Sequence, residues 1–302
     1  MTYKLEKDKS LKKNITYVAA EEVDGCLSSL NTLNIHEAVH DIRKRLKKLR
    51  ALARLVRDDM GEENYKSVNI YYRDLGRELA ELRDLTAHIE TMEAIRERYG
   101  NYLYVNFFNT VIKNIEKERD KMEGELRKEN FFSEHLPGKL DYAKNELVKW
   151  PVDSNDIQII LPSIQRVYKR GKNALKEAYE NPSKESFHEW RKRVKYLWYQ
   201  ILLLQDTWPE LFGSFEAEIH ELADLLGNDH DLMVLKERLN KDAFGLKDPS
   251  HAELIHALVR EYSDHLRSTA KLKGELIYAE EPEAFTKRMA AYTEANWNAQ
   301  SN

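Results

Sequence analysis

One ten-residue pattern occurs twice in this chain, and no other feature constrains the fold as much. His40-Asp-Ile-Arg43-Lys44-Arg45-Leu46-Lys47-Lys48-Leu49 realigns on His188-Glu-Trp-Arg191-Lys192-Arg193-Val194-Lys195-Tyr196-Leu197, 148 residues later. A second pair follows: Leu82-Arg83-Asp84-Leu85 and Asp229-His230-Asp231-Leu232, 147 residues apart. Within the first half His40 and Arg83 lie 43 residues apart, and within the second half His188 and His230 lie 42 apart. Matched spacing of two motifs predicts an internal duplication. The expected halves are residues 1–150 and 151–302, packed about a pseudo-twofold axis.

The hydrophobic period says what each half is made of. Val39, Ile42, Leu46, Leu49, Ala53 and Val56 follow one another at steps of 3 and 4. Leu75, Leu79, Leu82, Ile89 and Met92 keep a similar stripe, as do Trp190, Val194, Leu197, Ile201 and Leu204. Such spacing marks amphipathic helices, and no run alternates as a strand would. Only 11 Gly and 7 Pro interrupt 302 residues, so the helices should be long. The fold class expected is all-α, with helices packed as bundles. Breaks are expected at Gly61, Gly100, Pro137-Gly138, Trp150 to Asp156, Asn181-Pro182-Ser183 and Asp248-Pro249-Ser250. Asn155 or Asp156 is placed to cap the helix that follows. Residues 112–130 are read as a charged, exposed helix, and Tyr99, Tyr102 and Tyr104 as core or interface. The single Cys26 excludes an internal disulfide and fits a reducing compartment. No window has the length of a membrane span, and the N-terminal residues lack a signal-peptide core. The expectation is a soluble, cytoplasmic protein.

Net charge is −4, which taken alone argues against an anionic partner. The average hides a local excess. Residues 40–57 hold eight Lys/Arg and one Asp. On a helix of about 100° per residue, Arg43, Lys44, Lys47, Arg50 and Arg54 all fall within about 80° of His40. Ile42, Leu49, Ala53 and Val56 fall on the opposite side. The second copy puts His188, Arg191, Lys192 and Lys195 on one arc and Trp190, Val194, Leu197 and Ile201 on the other. A third stretch, Arg166 to Lys176, carries Arg166, Lys169, Arg170, Lys172 and Lys176 without an acid. Like charges one turn apart repel by a few tenths of a kcal/mol per pair. Ordinary solvated faces relieve this by alternating signs, as residues 115–129 do. A single basic face is usually just such a surface; its repetition at matched spacing favours an anionic partner. Lys offers phosphate a point charge and Arg a bidentate fork. His40 and His188 admit two roles, as donors to a phosphate or as structural groups held by Asp84 or Asp231. Arg83-Asp84 and His230-Asp231 equally fit buried pairs between helices.

Signals for catalysis are weak. There is no P-loop, no G-x-S-x-G, no H-E-x-x-H and no E-x-E-x-K. No carboxylate cluster of the kind that holds Mg²⁺ for phosphoryl transfer stands out. Neither a cofactor nor a metal is expected, and Cys26 has no evident activating partner.

At these motifs the sequence resembles the CHAD family, the conserved-histidine α-helical domains. The family pattern is an H-x-x-R-x-x-x-[KR]-[KR]-L-R helix, an LG…RD segment, a second H-x-x-R-[KR]-x-x-K-x-L helix and an LG…D segment. Here these are His40 to Arg50, Leu75-Gly76 with Arg83-Asp84, His188 to Leu197, and Leu226-Gly227 with Asp231. The likeness runs from Tyr3-Lys4-Leu5 to the Glu283-Ala-Phe region. It implies two antiparallel four-helix bundles with a basic cavity or pore between them. It also implies inorganic polyphosphate as partner, with association to polyphosphate granules in some members. The matching basic positions are His40, Arg43, Lys47, Lys48 and Arg50, then His188, Arg191, Lys192 and Lys195. Arg166 and Arg170 match the helix before the second motif, and Lys44, Arg54, Arg83, Lys169 and His230 complete the candidate set. Trp198 departs from the pattern, standing where the second family helix often carries Arg. The resulting expectation is a polyphosphate-binding module that is not an enzyme. The alternatives are a nucleic-acid binder, disfavoured by the lack of a recognition motif and of aromatics interleaved with the basic stripe, and a phosphatase acting on polyphosphate.

Overall fold

A computed structural model describes residues 3–100, 105–241, 244 and 249–297. Tyr102, Tyr104 and Asp248 lie outside these. Among the described residues there is no strand. The α-helices are α1 (Leu11–Thr32), α2 (Ile35–Leu55), α3 (Arg57–Met60), α4 (Glu62–Glu78), α5 (Ala80–Tyr99), α6 (Val105–Lys128), α7 (Leu136–Glu146), α8 (Leu161–Glu180), α9 (Lys184–Leu203), α10 (Pro209–Lys241), α11 (Pro249–Ile277) and α12 (Pro282–Trp297).

The two helices that carry the repeated motif start on strong caps. The Asn34 side chain accepts from the backbone N–H of His36 and Glu37, both at 3.1 Å. Ser183 and Ser186 form a reciprocal capping box at the start of α9. Such caps contribute about 1 kcal/mol each and fix where the helix begins. They therefore set the rotational position of His40 and His188. Asp156 also acts as a cap, accepting from the Gln158 N–H at 2.8 Å ahead of a 3-10 turn that leads into α8.

Two expected connections take another form. Pro137 and Gly138 sit in the first turn of α7. Proline is tolerated there because the first turn has no N–H bond to lose. The Leu75–Met92 stripe is not one helix, for the chain turns at Leu79 between α4 and α5. In the second half α10 passes through the comparable stretch unbroken, as one helix of 33 residues. Of residues 112–130, those up to Lys128 are helical, but Ile112 and Ile115 are buried, so one face of α6 is core.

α2 packs on α1 and α4, and α9 on α8 and α10. α7 covers α1, and α12 covers α8. The motif helices meet each other, and α5 meets α10. The larger core draws on α1, α2, α4, α7, α8, α9, α12 and the first part of α10. A smaller core joins Leu85, Ile89, Met92 and Ile95 of α5 to Val111 and Ile115 of α6, Leu232, Leu235 and Leu239 of α10, and Ile255 and Val259 of α11. Both cores thus mix helices from residues 1–150 and 151–302. Cys26 is buried in the larger one, and burial pushes its thiol pKa up. No helix among the described residues is long and apolar enough to cross a membrane.

Candidate functional site

The apolar arcs of the motif helices anchor the basic arcs. Ile42, Leu49, Ala53, Trp190, Val194, Leu197 and Ile201 are fully buried. With one arc locked in the core, the other is held toward a cavity of about 610 Å³ bounded by α2, α5, α9 and α10. His40, Arg43, Lys44, Lys47 and Arg50 line it from α2, and His188, Arg191, Lys192 and Lys195 from α9. Arg83 and Asp84 reach it from α5, and His230 and Asp231 from α10. The structure therefore brings eleven of the sixteen candidate residues to one space.

The other five lie elsewhere. Lys48 turns away, its ammonium 3.0 Å from Glu22 and 4.8 Å above the Tyr3 ring. Arg54 sits just behind the cavity wall, its guanidinium 3.9 Å from the Tyr196 ring centre, donating to the Tyr65 hydroxyl at 2.7 Å. Arg166 is paired with Asp58 at 2.6 Å. Lys169 and Arg170 are exposed on α8. The stretch that lacks acids in sequence thus gets counter-ions from distant segments, as does Lys172, which pairs with Glu281 at 2.7 Å.

Inside the cavity the balance differs. Among the described residues, Lys44, Lys47, Arg191 and Lys195 make no hydrogen bond and no ion pair with protein, although Lys195 lies 5.3 Å over the Trp198 ring. Arg43 donates only to the Gly76 carbonyl. The Nε groups of Arg43 and Arg191 and the Nδ1 of His188 are buried with no partner. Arg83 is bound to Glu90 at 2.7 Å and Lys192 to Glu189 at 2.5 Å. Eight Lys/Arg face four carboxylates, Asp84, Glu90, Asp224 and Asp231.

This crowding shows in the titration of the groups. Burial, then Arg191 and Arg43, push Lys47 far below the usual lysine range. Burial and Arg191 bring Lys195 down to about 8. Burial and the nearby cations lower His40 and His188, and take His230 to about 3. Burial raises both Asp84 and Asp231 against the pull of the arginines. The histidines are therefore neutral at pH 7, while the cations sit where desolvation and like charge both oppose them.

Neither histidine is held by an aspartate. The His188 ring instead lies against His230 with centres 4.8 Å apart. Arg83 donates to Glu90 of its own helix, and so does not form the pair between helices that the sequence allowed. The sequence reading also missed an aromatic wall. Tyr196, Trp198, Tyr199 and His220 also line the cavity. Trp198 is buried and stacks on His220, at 4.1 Å, and on Tyr199, at 4.8 Å, and its indole N–H donates to Glu216. The signal was available, since Tyr196 and Trp198 are interleaved with Lys195 within the second motif. Where α2 offers Arg50, α9 offers this indole. Among the described residues no three His, Cys, Asp or Glu side chains are placed to hold a metal ion.

Comparison with known proteins completes the description. The model of the CHAD domain family matches residues 27–240. No curated protein matches the chain. Among solved structures, PptA from Streptomyces chartreusis is similar with a TM-score of 0.65 at 12% identity, over 90% of this chain and 100% of that one. The CHAD domain from the plant Ricinus communis is similar with a TM-score of 0.61 at 15% identity, over 98% of this chain and 94% of that one. At such identities the likeness speaks to the all-α fold.

Proposed function

The chain belongs to the CHAD domain family, and we propose that it binds inorganic polyphosphate in the cavity between α2 and α9, with no chemistry of its own. One observation carries the reading: Lys47, Arg191 and Lys195, drawn from both motif helices, face one cavity and, among the described residues, make no ion pair, although Asp224 and Asp231 lie in the same space. Cations held in this way lower the stability of the empty protein, because neither solvent nor carboxylate compensates them fully. A flexible anion with about one charge per phosphate supplies each with a partner at once. The choice of polyphosphate among phosphate-rich anions comes from the family; the cavity itself supports the charge and the multivalency. A protein binding the polymer in this manner would also be retained on polyphosphate granules.

Single-stranded nucleic acid is the second reading, and the aromatic wall favours it, since stacking beside cations is how such strands are held. Trp198 is only 5% exposed and already stacks on His220 and Tyr199, which leaves it little surface for a base. Short polyphosphate should therefore displace RNA or DNA, and the reverse exchange should fail. Release of orthophosphate from polyphosphate in the presence of Mg²⁺ would instead make the protein a phosphatase.

Charge reversal tests the site. Arg43→Glu with Lys47→Glu, and separately Arg191→Glu with Lys195→Glu, should each weaken polyphosphate binding by about 100-fold or more. Helical circular dichroism should persist. Unchanged affinity after both pairs are reversed would rule this cavity out.

A further inference from the structure

A second, smaller cavity of about 300 Å³ opens between α2 and α4. Arg43, Lys47, Arg50 and His188 line both this cavity and the larger one. The two spaces are thus separated by a single row of side chains and not by a packed wall. What the smaller cavity adds is Arg73 and Arg77. They stand four residues apart and so share one face of α4. No carboxylate lines this space. Both arginines are paired with Asp74, which accepts from Arg73 through both oxygens, at 2.8 and 3.1 Å, and from Arg77 at 3.2 Å. Those pairs are largely exposed, with Arg77 at 67% and Asp74 at 47%, and exposed pairs of this kind hold the side chains only weakly.

The dividing row is itself only partly satisfied, for Arg50 donates to Asn69 at 3.0 Å while other donors have no partner. Arg43 is fastened to the Gly76 carbonyl through one nitrogen, while its Nε is buried without a partner. His188 Nδ1 is in the same condition. Tyr72 closes the floor as a buried ring. The smaller space therefore has a rigid base, two releasable guanidinium groups at its rim, and shared donors at its junction with the larger cavity.

We propose that this space between α2 and α4 is a second phosphate subsite, in which Arg73 and Arg77 hold the part of a phosphate chain that extends beyond the Arg43–Lys47–Arg50 row. The proposal rests on the polyphosphate reading and deepens it by naming a preference for long chains. A ligand of three phosphate groups is accommodated by the larger cavity alone. A long chain engages both spaces, and the second contact is then intramolecular, which raises affinity without any new class of interaction. Asp74 gives up two weak pairs, and each arginine gains a phosphate fork.

The experiment compares tripolyphosphate with long-chain polyphosphate, at equal phosphate concentration, on the full chain. Wild type should prefer the long chain. Arg73→Ala with Arg77→Ala should weaken the long chain by about tenfold or more and leave tripolyphosphate unchanged. Because Arg77 is exposed and Arg73 half-buried, with neither in the core, the fold should persist, and Arg73→Lys with Arg77→Lys should keep much of the preference. Lys121→Ala with Lys128→Ala removes the same charge from an exposed face of α6 and should change neither affinity. Equal loss for both lengths, or no loss for either, overturns the subsite while leaving the larger cavity's role intact. Failure of wild type to bind either length overturns the polyphosphate reading and this proposal with it.

Discussion

Lys47 and Lys195 are lysines placed where burial and neighbouring cations both favour losing the proton. The consequence for stability has a definite sign. Lys195 has a folded pKa of about 8 against an ordinary value of 10.5, so between those pH values the unfolded chain binds more protons than the folded one. The stability of the ligand-free protein should therefore rise as pH climbs from about 8 toward the ordinary lysine value, and the penalty is fully present below pH 8. Lys195→Met should stabilise the empty protein at pH 7 by about 1–2 kcal/mol, read as a higher Tm, while reducing polyphosphate affinity. A Tm that falls would mean that the ammonium is stabilising as it stands. Binding needs the charged form, so affinity should also decline as pH passes through about 8, with proton uptake on binding measurable by calorimetry in two buffers. At this scale the sequence was informative about one thing and silent on another. Helical projection placed His40, Arg43, Lys44, Lys47 and Arg50 on one arc, and these five do share a cavity. It could not show that Lys48 is answered by Glu22 or Arg166 by Asp58, because those acids come from other helices. Charge counted within a window misses counter-ions supplied by the fold.

At the scale of elements, helix ends were readable where a side chain does the capping. Asp156 and Asn181-Pro182-Ser183 bound the segment around α8 as expected. The turn at Leu79 was not readable, since that residue continues the apolar stripe and is itself buried. What holds α9 against α11 is likewise invisible to periodicity. Trp190 lies so close to Gly274 that a Cβ there would come within 2.6 Å of the indole Cζ2. Gly274→Ala would gain up to about 1 kcal/mol of helix propensity. The clash costs about 1–3 kcal/mol, because the indole is fully buried and has nowhere to move. The expected net result is a lower Tm. Its second effect should be on binding, since Trp190 lies between His188 and Arg191 on the motif helix. A variant as stable as wild type would show that α9 can shift without loss, and that its rigid support of the cations is unimportant.

At the scale of the whole molecule, the repeat was legible and the arrangement of its parts was not. Nothing in the spacing says that α5 and α6 complete a core with α10 and α11, because that pairing joins segments more than 100 residues apart. The same interleaving brings Arg83 and His230 from the two halves to one cavity. A ligand that binds there contacts elements from both cores, so it should stabilise the protein as a unit. Polyphosphate at 100 times its Kd should raise stability by about 2.7 kcal/mol, visible as a concentration-dependent rise in Tm.

The most direct test of the central claim is the salt dependence of long-chain polyphosphate binding, measured beside single-stranded nucleic acid at equal phosphate concentration. Contact with most of the cavity's eight Lys/Arg should give a plot of log affinity against log salt with a slope of about −4 to −6. Polyphosphate should bind more tightly at every salt concentration. A slope shallower than about −1, or tighter binding of nucleic acid throughout, would contradict the claim that these unpaired cations are a polyphosphate site.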